Sequence, residues 1–179
     1  MTKILYLLRH AKAEQAPADA PAKDHERPLS PRGRNAAQRM ADIFKLHPLA
    51  LGRVYCSTSR RTRETYTLTK PALGGTPVSF RDSLYLASAE DLLPFVQALP
   101  DKLKSALLIG HNPGLHDLAL SLVARAAPGQ SRALDRMRSK FPTGALCILS
   151  FDSNAWSKVD TGTGVMSLFL RPRDLEPPA

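Results

Sequence analysis

The sequence predicts an α/β protein, a three-layer α/β/α sandwich with a mostly parallel central sheet. Short apolar runs alternate with stretches whose apolar residues recur at helical spacing, as in a parallel sheet covered by helices on both faces. The apolar runs contain few polar residues, which is typical of strands buried on both faces. We find no internal repeat and no shift in composition, so residues 1–172 are expected to form a single domain and residues 173–179 a loose tail.

The first half of the chain predicts three strands and two helices. Residues 3–9 form a continuous apolar strand, and an irregular loop follows over 11–29 that is long enough to be functional. Ser30 and Pro31 are favoured as the N-cap and first residue of a helix that ends near residue 47. The other elements of this half are a strand over 53–56, a helix over 60–70 and a strand over 77–80.

The second half continues the alternation. Ser88 and Asp91 have the spacing of a capping box, which predicts a helix through about residue 99. The remaining predicted elements are a strand over 105–110, a helix from 112–113 to about 126, a partly helical basic segment over 127–143, and strands over 144–151 and 165–170.

Composition narrows the classes of partner. The formal net charge of +9 favours anionic partners, whether nucleic acid, phosphorylated metabolites or phosphorylated proteins. Only 6% of the residues are aromatic and no base-stacking motif is present, so no nucleic-acid partner is expected. The sequence contains neither a run long enough to span a bilayer nor a secretory signal, so we expect a cytoplasmic protein without membrane contact.

Three predicted strands end in polar side chains. The first ends in Arg9-His10, the second runs into Ser57 and Arg61, and a later one is followed by His111. Because the carboxyl ends of parallel strands meet at the same edge of a sheet, we expect these side chains to converge there.

The converging residue types suit phosphoryl transfer. Arginine forks bind phosphate oxygens, and neutral imidazole can attack phosphorus. A second histidine can donate to the phosphoryl oxygens during transfer. No carboxylates cluster to hold magnesium, and the two cysteines are too few for a zinc site. We therefore expect neither a metal nor a cofactor, and a reaction through a phosphohistidine intermediate.

Taken singly, the same residues have ordinary structural interpretations. A histidine at a strand end is commonly a satisfied structural residue, and arginines at a helix start commonly form a solvated face. The segment from His111 to Pro113 could be only a turn and a cap. Their shared position at strand ends favours function, whereas His25, His47 and His116 show no comparable setting.

Three motifs resemble those of the histidine phosphatase superfamily, which has the phosphoglycerate mutase-like fold. "LLRHAK" resembles its RH motif, "CSTSRRTRET" its S-x-x-x-R-x-x-x-T segment with Ser57, Arg61 and Thr65, and "LLIGHNPGLHDL" its segment with the second histidine, His111. The resemblance covers roughly residues 3–172. The short chain and the stretches "RPLSPRGR", "GHNPGLHDL" and "FPTGAL" resemble the SixA-type phosphohistidine phosphatases.

The resemblance implies roles for individual residues. His10 would be the nucleophile, and Arg9, Arg61 and His111 would bind and polarise the phosphoryl group, with Ser57 also on the substrate-binding motif. The domain over residues 1–172 would be catalytic.

Three assignments stay open at this stage. Arg60 competes with Arg61 for the phosphate, although the spacing from Ser57 favours Arg61. Arg27 lies in the long loop and is expected either at the mouth of the pocket or on the surface. Many superfamily members place a glutamate after the third strand as general acid, whereas this chain has "FRDSLYLAS", so either Asp82 takes that role or no acid is needed.

The leading hypothesis is a metal-independent phosphatase that dephosphorylates phosphohistidine on a signalling protein, or a related small phosphorylated substrate, and releases phosphate. Imidazole is a weaker base than an alkoxide and leaves phosphorus more easily, so a missing acid favours a substrate with an N–P bond. The alternatives are a general small-molecule or phosphoprotein phosphomonoesterase and a non-catalytic phosphate-binding module.

Overall fold

The computed structural model describes residues 1–15 and 21–175, and seven strands in this part of the chain form one sheet. The strands are β1 (Thr2–Arg9), β2 (Arg53–Ser57), β3 (Val78–Arg81), β4 (Ser105–Gly110), β5 (Val123–Ala126), β6 (Leu146–Asp152) and β7 (Gly164–Leu170). The α-helices of the described residues are α1 (Pro31–Leu46), α2 (Arg60–Thr69), α3 (Ala89–Gln97), α4 (Gly114–Leu122) and α5 (Ser131–Ser139). Short 3₁₀ helices span Pro21–Glu26, Lys70–Ala72, Asp82–Leu84, Trp156–Lys158 and Pro172–Leu175.

The two faces of the sheet carry separate apolar cores, because successive side chains of a strand point to opposite faces. Along β1, Leu5 and Leu7 belong to a core that includes buried residues of α3, α4 and α5. Tyr6 and Leu8 belong to a second core that includes residues of α1 and α2. The sheet is therefore the middle layer of an α/β/α sandwich, and the predicted fold class is confirmed.

The sheet topology places three strand ends next to one another. The strand order is β3-β2-β4-β1-β6-β7-β5, and of these seven strands only β6 runs against the others, so the prediction of a mostly parallel sheet is confirmed. The register pairs Arg9 with Gly110, so the residues that follow β1 and β4, His10 and His111, leave the sheet side by side.

Two helix starts form as the sequence predicts. Ser30 accepts a hydrogen bond from the Gly33 N–H at the start of α1, and Ser88 and Asp91 form the reciprocal capping box of α3. The backbone N–H and the hydroxyl of Ser30 also both donate to the backbone oxygen of Lys12. The start of α1 is therefore attached to the segment that directly follows β1.

Two segments differ from the prediction. The helix expected to run to about residue 126 ends at Leu122, and Val123–Ala126 forms β5, which pairs in parallel with β7. This pairing depends on residues 164–166, far along the chain, so local periodicity did not reveal it. The loop expected over 11–29 contains the 3₁₀ helix Pro21–Glu26, while residues 16–20 lie outside the described residues.

The chain beyond residue 172 stays against the domain as far as Leu175. Leu175 packs on the core beneath α1, and Arg171 holds the same turn by donating to Asp174 Oδ1 at 2.6 Å. Residues 176–179 of the tail that the sequence predicts to be loose lie outside the described residues. The division into a domain over 1–172 and a tail stays a prediction.

Candidate active site

Two histidines meet at the carboxyl edge of the sheet. The His10 N–H donates to the backbone oxygen of Gly110 at 3.1 Å, which fixes the end of β1 against the end of β4. The ring centroids of His10 and His111 are 5.2 Å apart, and the two residues are only 8% and 3% exposed. The pair therefore borders one small site, as the strand ends predict.

His10 presents one particular ring nitrogen to this site. Its Nδ1 lies 2.7 Å from the backbone oxygen of Ala11, and because a carbonyl only accepts, Nδ1 carries the proton. Nε2 is then the nitrogen with a free lone pair. The Ala11 peptide is itself fixed, since its N–H donates to Thr65 Oγ1 at 3.0 Å. The strand end therefore holds His10 in the tautomer that a nucleophile at Nε2 requires.

His111 is held from two sides. Its Nδ1 lies 3.3 Å from Arg61 Nη2, and its Nε2 lies 2.9 Å from Ser57 Oγ. A guanidinium only donates, so Nδ1 accepts from Arg61 and Nε2 donates to Ser57. Ser57 is fully buried and therefore orients His111 through this bond.

Arg61 and Arg60, neighbours at the start of α2, point in different directions. The Arg61 side chain is 3% exposed and lies against His111. The Arg60 side chain is 52% exposed and pairs with Glu64 at 2.7 Å on the outer surface of the helix. The structure thus brings Arg61, and not Arg60, to the two histidines.

Arg9 supplies a second, partly buried cation. Its Nη1 donates to the backbone oxygen of Phe141 at 2.8 Å, and its Nε is buried with no partner in the part of the chain that the structure describes. Burial and the positive charge of Arg61 both lower the pKa of Arg9. Because burial and mutual repulsion disfavour both guanidinium charges, the site favours an anion that contacts both.

Comparisons with known proteins agree with this geometry. The family model of the histidine phosphatase superfamily (branch 1) matches residues 5–85, which include His10 and Arg61. A structure from Nakamurella multipartitia, provisionally assigned as the phosphohistidine phosphatase SixA, is 29% identical with a TM-score of 0.78, over 96% of this chain and 97% of that chain.

The chain thus shares sequence motifs and fold with the histidine phosphatase superfamily.

Further similar proteins extend the likeness. A second structure provisionally assigned as SixA, from Agrobacterium tumefaciens, is 26% identical with a TM-score of 0.77, over 95% of this chain and 98% of that chain. An uncharacterised protein of Mycobacterium leprae is 29% identical over 168 residues, which are 93% of this chain and all of that protein. The protein histidine phosphatase SixA solved with tungstate is 22% identical and shows the shared fold, with a TM-score of 0.74.

These likenesses confirm the phosphoglycerate mutase-like fold, the SixA type within the superfamily and a phosphatase activity. None of the helices in the described part of the chain has the length and apolar character that crossing a bilayer requires. Within residues 1–15 and 21–175, no three His, Cys, Asp or Glu side chains are grouped so that they could hold a metal ion.

Asp82 follows β3, and in the described part of the chain no hydrogen bond or ion pair joins it to His10 or His111. It is exposed, and its Oδ1 accepts a hydrogen bond from Thr58 at 2.6 Å. Arg27 lies closer to the site: its Nη1 donates to Asp24 Oδ1 at 2.8 Å, and its charge contributes to lowering the pKa of His10. Arg27 therefore lies near enough to act on His10 electrostatically, and its place at the pocket mouth stays a prediction.

The sequence did not single out Asp24 and Tyr85, which form one wall of the site. Asp24 accepts from Arg61 Nη2 at 3.0 Å through Oδ2, and the Tyr85 hydroxyl donates to the same oxygen at 2.7 Å. The Tyr85 ring stands edge-on to His111 at 5.5 Å and to His25 at 4.8 Å. The available signal was the three-residue spacing of Asp24 and Arg27, which suits an ion pair on one helical turn.

Both histidines are held neutral. Burial is the main cause that lowers the pKa of His10 to about 3, and the charge of Arg61 adds to it. Burial likewise lowers the pKa of His111 to about 3, followed by the effects of His10 and Arg61. A neutral imidazole is the form that attacks phosphorus, so His10 is ready to react at neutral pH.

The same depressed pKa values predict acid sensitivity. Below about pH 6.5 the histidines of the unfolded chain bind protons while His10 and His111 stay neutral down to about pH 3. The free energy of unfolding should therefore fall by about 1–3 kcal/mol per pH unit as the pH drops through this window. Urea denaturation at pH 7, 6 and 5 measures this, and His111→Gln should show a shallower slope. A wild-type stability that is flat from pH 7 to pH 5 would contradict buried neutral histidines.

Proposed function

We propose that this phosphatase removes the phosphoryl group from phosphohistidine on a signalling protein in the cytoplasm, without a metal, through a phosphohistidine intermediate on His10. The arrangement of His10 supports the nucleophilic role: Nδ1–H donates to the Ala11 oxygen, and Nε2 lies free beside His111. Arg9 and Arg61 supply the charge that a phosphoryl dianion needs, and the product is inorganic phosphate.

The first step transfers the phosphoryl group to the protein. His10 Nε2 attacks phosphorus, the N–P bond of the substrate breaks, and its electron pair returns to the substrate imidazole. The two arginines neutralise the equatorial oxygens, where charge is concentrated during transfer. A bound dianion also favours the protonated form of His111, whose Nδ1 can then donate to a phosphoryl oxygen in place of accepting from Arg61.

The second step releases phosphate. Water attacks the phosphorus on His10, and the P–N bond to Nε2 breaks. The Nδ1–H of His10 stays hydrogen-bonded to the Ala11 oxygen throughout. The departing ring therefore leaves as neutral imidazole and needs no further acid. The free nucleophile is then restored in the same tautomer.

The observation that carries the substrate class is that neither Asp82 nor Asp24 is a carboxylic acid placed to protonate a leaving group beside the histidines. Asp82 is exposed and bound to Thr58, and Asp24 is held ionised by two arginines and Tyr85. Alcohol leaving groups depart as strongly basic alkoxides unless an acid protonates them, whereas a protonated phosphoimidazole releases neutral imidazole. The site therefore suits an N–P bond better than a phosphate monoester.

The surface beside the site supports a protein substrate with an acidic surface. Helix α5 and the residue after it expose basic side chains, and Phe141 follows immediately and accepts from Arg9 through its backbone oxygen. The exposed basic side chains are Arg132, Arg136, Arg138 and Lys140. Together with the net charge of +9, they favour encounter with an acidic phosphotransfer or receiver domain.

Competing substrates test this function directly. The purified protein should hydrolyse a phosphohistidine-bearing phosphotransfer domain with a kcat/KM about tenfold or more above that for p-nitrophenyl phosphate or a sugar phosphate. EDTA should leave the rate unchanged. Faster turnover of the sugar phosphate would instead identify a general phosphomonoesterase. Phosphate binding without turnover or a phosphoenzyme would identify a phosphate-binding module.

A further inference from the structure

Asp24 is a carboxylate in the site whose role the binding of the phosphoryl group does not explain. It lies in the 3₁₀ helix Pro21–Glu26, on the wall of the site beside Arg61, and its side chain is 29% exposed. Its Oδ2 accepts from Arg61 and Tyr85 and its Oδ1 from Arg27, while its backbone oxygen accepts from Arg61 Nη1 at 2.6 Å. A carboxylate that contacts the arginine proposed to bind the substrate anion requires an explanation, since it opposes that anion.

The surroundings of Asp24 keep it ionised. Partial burial opposes ionisation, but the hydrogen bonds from Tyr85 and the two arginines hold the pKa of the carboxyl far below its usual range. Asp24 is therefore a hydrogen-bond acceptor at neutral pH and not an acid. A carboxylate offers about four acceptor positions, and three side-chain donors leave about one of them for a ligand.

The proposed reaction passes a phosphoryl group between two imidazoles, and the two rings have the same requirement. Each ring is a good leaving group only while its distal nitrogen carries a proton. For His10 that proton sits on Nδ1 and is held by the Ala11 oxygen. In-line transfer puts the substrate ring on the side of the phosphoryl group away from His10, where its distal N–H needs an acceptor. Asp24, a partly exposed carboxylate bonded to Tyr85 beside His111, lies on the wall of the same site.

We infer that Asp24 accepts a hydrogen bond from the distal ring N–H of the substrate phosphohistidine and thereby selects N-phosphorylated over O-phosphorylated substrates. This inference rests on the proposed function. The carboxylate stabilises the protonated substrate ring; as His10 Nε2 bonds to phosphorus, the substrate N–P bond breaks and its electron pair stays on the departing nitrogen. The ring leaves as neutral imidazole with its distal proton in place, and Asp24 remains a carboxylate.

The same contact disfavours phosphate monoesters. The bridging oxygen of a monoester carries no hydrogen to donate to Asp24, and the carboxylate repels the negative charge that develops on that oxygen. The charged and titratable groups that contact the Asp24 carboxyl are Arg27, Arg61 and Tyr85, with His111 one contact further in. A neutral amide in place of the carboxylate keeps the shape, removes the negative charge and leaves one acceptor oxygen instead of two, so both effects are weakened.

The variant Asp24→Asn tests the inference. It is compared with wild type and with the matched control Asp82→Asn, which changes an exposed carboxylate after β3. With phosphohistidine protein, D24N should lose about 10- to 100-fold in kcat/KM, as expected for a hydrogen bond between charged groups. With p-nitrophenyl phosphate, D24N should stay within about threefold of wild type or exceed it. The alkaline limb of kcat for phosphohistidine should move down by about one pH unit in D24N, because the substrate ring loses its proton more easily. D82N should show neither the substrate-dependent loss nor the shift.

Inhibition by vanadate separates this role from a defect in folding or in Arg61. D24N should bind vanadate at least as tightly as wild type does. An equal loss of activity on both substrates, or weakened vanadate binding, would show that Asp24 only positions Arg61 and would overturn the inference. Higher activity of D24N on both substrates would show that the Asp24 carboxylate competes with the substrate phosphoryl group, and it would overturn the inference as well. Wild-type protein that does not hydrolyse phosphohistidine would refute the proposed function itself, which is a separate result from a D24N defect equal on both substrates.

Discussion

Replacing His10 with alanine should abolish turnover of every substrate. The side chain supplies the only atom to which the proposed mechanism transfers the phosphoryl group, so the loss in kcat should be about 10⁴-fold or more. Rapid mixing with ³²P-labelled phosphohistidine protein and acid-free gel analysis should show an acid-labile, alkali-stable phosphoenzyme in wild type and none in H10A.

The matched control for this variant is another histidine of the chain. His47 lies exposed at the end of α1, away from the strand ends, and His47→Ala should keep the wild-type rate and phosphoenzyme level. Binding of inorganic phosphate to H10A, followed by calorimetry, verifies that the arginines are still in place. A phosphoenzyme that persists in H10A would move the nucleophile to another residue and refute the assignment.

Replacing Arg61 with alanine should have the next largest effect. Arg61 is buried, contacts His111 and brings a fixed positive charge to the site, so its loss should lower kcat/KM by about 10²- to 10³-fold. Arg61→Lys keeps the charge but not the planar fork and should recover only part of the rate. Arg60→Ala is the matched control, one residue away on the same helix, and should change the rate by about twofold or less because Arg60 points outward.

Circular dichroism and urea denaturation distinguish a chemical from a folding defect in these variants. Removing Arg61 leaves Asp24 without one of its partners, and R61A should be less stable than wild type for that reason. R61K retains a cation near Asp24 and serves as the folded test. An R60A defect equal to that of R61K would show that the spacing from Ser57 identifies the wrong arginine.

The sequence predicts the centre of the site better than its rim. His10 and His111 each follow a buried strand, so the parallel register that joins β1 to β4 places them side by side once both strands are identified. Arg61 was predicted only as the favoured one of two neighbours, because the spacing from Ser57 does not state which face of α2 packs inward. The structure decides this through burial, with Arg61 inside and Arg60 outside.

The residues at the edge of the site are positioned by contacts between distant segments of the chain, which no local sequence pattern reveals. Asp24 lies in a segment that reads as irregular loop, and its place beside Arg61 follows from how that segment folds back over the strand ends. Tyr85 reaches the same wall from the 3₁₀ turn that follows β3, 61 residues along the chain from Asp24. Asp82 was a candidate acid because it follows β3, but in the structure its carboxylate accepts a hydrogen bond from Thr58. The same limit applies to β5, whose partner β7 lies far along the chain.

A crystal structure with vanadate bound tests the central claim most directly. The account predicts vanadium bonded to His10 Nε2, with His10 Nδ1 still donating to the Ala11 oxygen and with the vanadate oxygens contacted by Arg9, Arg61 and His111. Vanadate bound elsewhere, for example in the groove beside Arg63 and Lys70, with His10 left uncontacted, would contradict the account.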